Sequence, residues 1–282
     1  EQERSLDFAG VQAAQAQLAT SGTVEDLANY YCVGYSTVKY ELDGTKLKTL
    51  VGQRGRVASA TVIATFLPRQ VIDSMHSALQ SVSLDMHALT LEPIAAINVL
   101  IPPTMRHLNL VLVDIGAGTS DVAITRNGSV IAYGMVPQAG DEITDAISQQ
   151  YLLDFNVAEQ LKRDATNGLQ CQFADIMGME YDLSATEVLK PVLPNIRKLA
   201  ESIAQQILDL NGNEPPQAVI LVGGGSLTPH LSDYVAEIMN LPMGRVAVRH
   251  PDKIDGIVDI PEELRLPDAV TPLGILKIAS LN

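Results

Sequence analysis

Apolar positions along this chain switch between a spacing near two residues and one near 3.6, and each switch marks an element. From Tyr31 to Leu42, Val33, Tyr35, Val38, Tyr40 and Leu42 are strand formers, and Asp43-Gly44 is a turn signal. Ala60 to Phe66 reads as a compact strand ended by Pro68, and Ile72, Met75, Leu79 and Val82 then predict one face of a helix. Upstream, the Ala/Gln-rich stretch 8–19 is helical by composition, and Thr23 caps a second short helical start. A further region begins near His107. Leu110 to Ile115 predicts a buried strand, Asp121 to Ile124 a second, and Asn127-Gly128 a hairpin turn into Val130 to Val136. Ile143, Ile147 and Tyr151 share a helical face, and Val157 to Ala165 predicts another helix. Residues 166–183 read as loop or irregular strand. Ile196, Leu199, Ile203, Ile207 and Leu210 mark a long amphipathic helix that Asn213 to Pro216 breaks. Ala218 to Val222 is a short buried strand whose glycines lead into a helix with Leu231, Val235, Ile238 and Met239 inward. Leu273 to Leu281 is a last short core helix. Strands alternating with helices, interrupted by hairpins, give an α/β fold with a mixed sheet.

Composition narrows the partners. At 282 residues the chain makes one large domain or two modest ones. Nineteen Lys+Arg against 33 Asp+Glu leave a net charge of −14, which repels nucleic acid and anionic lipid. Cys32 and Cys171 form no disulfide framework or zinc set and read as reduced thiols. The five His residues never fall at metal-ligand spacing. No stretch approaches the ~18 apolar residues of a membrane span, and no basic segment precedes an apolar run as in a signal peptide. The opening Glu1-Gln2-Glu3-Arg4, without Met, suggests an excised fragment or a trimmed N-terminus.

Two glycine-rich turns carry the candidate chemistry. In Val113-Asp114-Ile115-Gly116-Ala117-Gly118-Thr119-Ser120-Asp121, a strand delivers Asp114 and the chain turns through glycines and hydroxyls. Exposed N–H groups there suit terminal phosphates, and Asp114 is placed to hold Mg²⁺ through water. The alternative is a glycine hairpin with no ligand. In Ile220-Leu221-Val222-Gly223-Gly224-Gly225-Ser226-Leu227, a strand, three glycines and a helix would set a helix N-terminus beside open backbone, favouring phosphate or ribose. A tight strand-to-helix turn explains it equally well.

These motifs resemble the actin-like ATPase superfamily, which includes actin, the heat-shock chaperone ATPases, sugar kinases and the bacterial cell-division protein FtsA. Asp114 to Asp121 is similar to its second phosphate hairpin, and Leu221 to Leu227 to its adenosine loop. Glu92-Pro93-Ile94-Ala95-Ala96 and Ala269-Val270-Thr271-Pro272-Leu273-Gly274 resemble its two connecting helices. The resemblance implies an actin-like, ribonuclease H-like mixed sheet flanked by helices, with ATP and Mg²⁺ as cofactors. Nucleotide contacts would come from Gly116, Ala117, Gly118, Thr119, Gly140, Glu159, Lys162, Gly223, Gly224, Gly225 and Ser226, with Asp114 on the metal. Glu159 and Lys162 otherwise read as a surface i,i+3 ion pair. Glu92 either orients an attacking water, as in chaperones, or is a surface carboxylate before Pro93.

The strands before residue 70, with Val51-Gly52-Gln53-Arg54-Gly55-Arg56, resemble the FtsA branch, with the pilus protein PilM as near neighbour. That branch implies a strand-rich subdomain over 1–55, the rest of a partial first lobe over 56–106, and a second lobe over 107–282. It implies a cytoplasmic protein, at most a slow ATPase, whose Mg-ATP between the lobes controls self-assembly and docking to the tubulin-like division ring protein. The alternatives are a PilM-like scaffold and a chaperone-type ATPase. The superfamily's first Asp-x-Gly-Thr phosphate loop has no counterpart before residue 110, so this fragment would bind nucleotide weakly or not at all. No direct membrane anchor and no nucleic-acid partner are implied.

Overall fold

The computed structural model describes residues 4–5, 29–87, 89–252, 254, 257 and 259–281. The helices expected over 8–19 and from Thr23 lie outside them. Contacts gather the chain into two compact units, Glu1–Leu91 with Thr125–Ile131, and Glu92–Ile124 with Ala132–Asn282.

In the first unit, β1 (Arg4–Ser5) is followed by β2 (Tyr30–Leu42), β3 (Thr45–Leu47), β4 (Arg54–Gly55) and β5 (Ala58–Pro68). β1 pairs with β4, and β3, β2 and β5 form an antiparallel sheet in that order. Asp43 and Gly44 both take positive φ (49° and 80°), as a two-residue hairpin turn requires. The Asp43 carboxylate then accepts from the N–H groups of Arg56 (3.0 Å) and Val57 (2.8 Å). The apolar phase of β2 moves from odd to even positions between Tyr35 and Val38. A bulge causes it, since Thr37 faces Val62 and Lys39 faces Thr61, leaving Val38 extra. Helix α1 (Arg69–Ser81) forms where its periodicity predicts. Its expected apolar face is not a buried one: Ile72 is buried, but Met75 is 43% exposed and Val82, beyond the helix, 64%.

The second unit carries α2 (Glu92–Leu100), β6 (Leu110–Ile115), β7 (Ser120–Arg126) as far as Ile124, β8 (Ser129–Val136) from Ala132, α3 (Gly140–Tyr151) and α4 (Phe155–Thr166). β9 (Cys171–Ala174), β10 (Glu180–Leu183), α5 (Ala185–Leu189), α6 (Leu193–Leu210), β11 (Ala218–Val222), α7 (Leu231–Ile238), β12 (Val246–Val248) and α8 (Val270–Leu281) follow. Five strands form one sheet in the order β12-β11-β6-β7-β8. β12, β11 and β6 run parallel, while β6, β7 and β8 are neighbours joined by short loops and so antiparallel. All six positions of β6 are buried, as a central strand covered on both faces requires. Helix α6 buries Ile196, Leu199, Ile203 and Ile207 of the stripe its sequence predicts, while Leu210, at its end, is half-buried.

Three local expectations change. Residues 166–183 contain an ordered hairpin, β9–β10, because Phe173 and Tyr181 stack (4.9 Å between centroids) and both meet the edge of Tyr151. The three glycines do not open an α-helix. Gly224–Leu227 is a 3₁₀ turn, Pro229 and a left-handed His230 (φ 67°) intervene, and α7 starts only at Leu231. The last helix starts at Val270, after a 3₁₀ turn at Pro267–Ala269; Pro272 is tolerated because it falls in the first turn. Its core role is one-sided, with Leu273 buried but Ile275 and Leu276 exposed. No described helix is long and apolar enough to cross a membrane.

Candidate functional site

The parallel register of β6 and β11 sets Asp114 opposite Val222, so both glycine turns leave the sheet at the same level from adjacent strands. That is the carboxyl edge of a parallel pair, where open α/β sheets form ligand crevices. The first turn closes with Gly116 N–H donating to Thr119 O at 2.9 Å. The second turns at Gly223 (φ 82°), whose N–H donates to Pro267 O at 3.0 Å, and the buried Ser226 hydroxyl donates to Gly223 O at 2.7 Å. A Cβ at Gly223 would collide with the Asp114 carboxylate and Ile115, and one at Gly225 would lie 3.0 Å from Gly116 O. The two turns therefore pack backbone against backbone.

Helix α3 starts against the first turn. Gly140 N–H donates to Gly116 O (3.2 Å) and Asp141 N–H to Ala117 O (2.8 Å), so orphan donors of the helix start are spent on the first turn. Lys162 of α4 holds this start in place, donating to Gly140 O (3.0 Å) and Thr144 Oγ1 (2.8 Å) and pairing with Glu159 (2.6 Å). The Thr144 hydroxyl donates to Glu159 Oε2 at 2.6 Å, and Arg163 reaches the other carboxylate oxygen at 2.8 Å. Burial alone would raise Glu159, but hydrogen bonds from Lys162, Thr144 and Arg163 outweigh it and bring the group down to about 2. Glu159 and Lys162 thus form a half-buried tie between α4 and α3, more than an exposed helix pair.

The glycines separate into two kinds. Gly223 needs its positive φ, and Gly225 its lack of a side chain against Ile115. Gly118 and Gly224, one in each turn, are exposed, have no positive φ, and face open space where a Cβ would stand. The protein's own backbone does not call for glycine at either position.

Three carboxylates line the same region. Asp114 is only 8% exposed; its burial raises it, and the Thr271 hydroxyl, donating to Oδ2 at 2.5 Å, partly offsets that. Asp121, returning on β7, is raised by burial and then by the charge of Asp114, with the Thr119 hydroxyl 3.4 Å from its Oδ2. Glu92 stands at the first position of α2, raised by partial burial of its carboxyl and by the charges of Asp114 and Asp121. Among the described residues no three His, Cys, Asp or Glu side chains are disposed to grip a metal directly. A hydrated cation that keeps its waters fits this negative, loosely spaced set. A cavity of about 580 Å³ opens between Ala165 and Gly168 at the end of α4, Leu189, Lys190, Pro229 and His230, and no glycine of either turn lines it.

Every residue proposed for the nucleotide thus lies on these two turns or on the α3–α4 tie against the first of them. Sequence reasoning missed Thr144 and Thr271 as participants and left Asp121 out. Asp121 was recoverable, since it follows Thr119 by two in the motif itself; the other two have no local signal.

Solved structures share this fold. A PilM–PilN type IV pilus biogenesis complex matches with TM-score 0.65 at 16% identity, over 100% of this chain and 75% of that one. The ethanolamine utilization protein EutJ of Carboxydothermus hydrogenoformans matches at 0.52 and 23% identity, over 74% and 61%. MreB5 of Spiroplasma citri bound to ADP matches at 0.54 and 18%, over 76% and 67%. The fold is that of the actin-like ATPases. Within it, the sequence pattern of the family described as cell division protein FtsA matches residues 111–274, and the chain belongs to that family. Cell division protein FtsA of Bacillus subtilis is 19% identical over 84% of this chain and 53% of its own length. That of Neisseria meningitidis is 24% identical over 74% and 51%. The chain spans about half the length of the curated relatives it matches.

Proposed function

We propose that this chain binds Mg-ATP on the face where the two glycine turns meet, and that the bound nucleotide governs self-assembly and docking to the tubulin-like division ring protein. The observation carrying this is the pair Gly118 and Gly224, glycines that the fold itself does not use. N–H groups of Ala117 to Thr119, in the turn that the Gly116 N–H closes, receive the terminal phosphates, and the Gly224–Ser226 backbone and Gly140 line the nucleoside side. Glu159 and Lys162 flank the ribose while keeping α3 against the first turn. Asp114 would hold Mg²⁺ through water, and the ion would supply charge neutralisation at the phosphates. Glu92 is the group available to orient a water. Its raised pKa makes it a better proton acceptor than an ordinary carboxylate.

Equilibrium binding of a fluorescent ATP analogue, with and without Mg²⁺, tests the reading. Gly118→Val and Gly224→Val should leave the melting temperature within a few degrees and weaken binding at least about tenfold, since a side chain would stand where phosphate or ribose must come. Unchanged affinity in both variants sinks the proposal. A second reading, a PilM-like scaffold, draws on the structural match that spans the whole chain. Sedimentation separates the two, because an assembler pellets with Mg-ATP and a scaffold stays in solution.

A further inference from the structure

Helix α8 touches both glycine turns with its leading end. Pro267 O, in the 3₁₀ turn before the helix, accepts the Gly223 N–H, and Thr271, the second helical residue, donates its hydroxyl to Asp114 Oδ2 at 2.5 Å. One turn further on, Gly274 lies against the backbone of Ala95 in α2, so closely that a Cβ would overlap it. A turn beyond that, Lys277 donates to Asn98 O of α2 at 3.0 Å. The chain of contacts runs from the Asp114 carboxylate through one helix to the crossing of two.

The geometry assigns Thr271 as the positioning residue for Asp114. A carboxylate at the end of a buried strand can rotate about χ1 and χ2, and only some orientations turn an oxygen toward the mouth of the first turn. Fixing Oδ2 to a hydroxyl on α8 selects one orientation and leaves Oδ1 over the Gly223 turn. An O–H···O⁻ bond of this length is charge-assisted and about twice as strong as a neutral one. Because Thr271 sits one turn from Gly274, the orientation of Asp114 is tied to the α8–α2 crossing. A cation drawing on Asp114 therefore acts on that crossing through a single side chain. This inference rests on the nucleotide reading above.

The test compares Thr271→Val, which keeps shape and removes the hydroxyl, with Thr271→Ser, which keeps the hydroxyl. The quantity measured is the ratio of fluorescent ATP-analogue affinities with Mg²⁺ and with chelator, a ratio that general loosening of the fold leaves in place. The Val variant should lose about tenfold of the Mg²⁺ gain and the Ser variant less than about twofold. Thr271→Ala replaces Val if the latter does not fold. An unchanged ratio in the Val or Ala variant overturns the role of Thr271 while the nucleotide reading stands. A Ser variant as impaired as Val also overturns it, because the hydroxyl would then not be what matters. Wild-type protein that binds no nucleotide at all removes both.

Discussion

Burial of Asp114 disfavours its ionised form, and the single hydroxyl of Thr271 only partly restores it. A carboxyl raised above its unfolded value costs stability wherever it is ionised in the fold. The penalty is full above the folded pKa and vanishes below the ordinary value of 3.8. Asp114→Asn should therefore raise the melting temperature of the nucleotide-free protein at pH 7, by a few degrees, while removing the Mg²⁺ gain in affinity. Melts repeated toward pH 3.5 should show the two proteins converging; a less stable Asn variant at pH 7 contradicts the argument. Glu159 has the opposite sign. Held near 2, it stabilises above its ordinary 4.5, and that stability drains away as the pH falls from 4.5 through about 2. Glu159→Gln should be the less stable protein at pH 7, with the difference closing across that window in acid titrations followed by circular dichroism.

At the scale of elements, the two loops are held by what lies under and beside them. Helix α3 spends its first N–H groups on the first turn, and α8 fastens the second turn and Asp114 together. The α8–α2 crossing depends on Gly274 lacking a side chain against Ala95. Gly274→Ala is small in chemistry but forces backbone apart, so it should destabilise by about 1–3 kcal/mol, read as a shift in denaturation midpoint. Gly118→Val introduces more volume and should cost almost nothing, because its Cβ faces open space. The contrast between these two glycines tells packing glycines from ligand glycines in one denaturation series.

The whole molecule carries a net charge of −14, so copies of it repel each other at low ionic strength. If Mg-ATP drives assembly, the pelleted fraction should rise as salt goes from about 50 to 200 mM, because the Debye length shrinks from over ten to under ten ångströms. A steep fall over that range would mean that attractive charge pairs make the contact, against this account. Membership of the FtsA family is established over residues 111–274, and the site described here falls within that span apart from Glu92.

What could be read from sequence was what is local. β6, β7, β8 and β11 announce themselves by short apolar runs between turn residues, and α6 by its stripe, because burial acts on each residue according to its neighbours two or four positions away. The glycine turns were legible for the same reason, whereas the bulge in β2 came only from the strand register. The face of α1 was not, since periodicity predicts an apolar side without saying whether anything covers it. Nor was the hairpin β9–β10, whose ordering comes from Tyr151 on another element. Thr271 and Asp114 are 157 residues apart, and a hydroxyl in an apolar helix start gives no sign of its partner. Which glycines the backbone needs, which carboxylates share a field, and which helix holds Asp114 were decided by strand register and helix crossing. Those depend on the packing of distant segments, which no local pattern encodes.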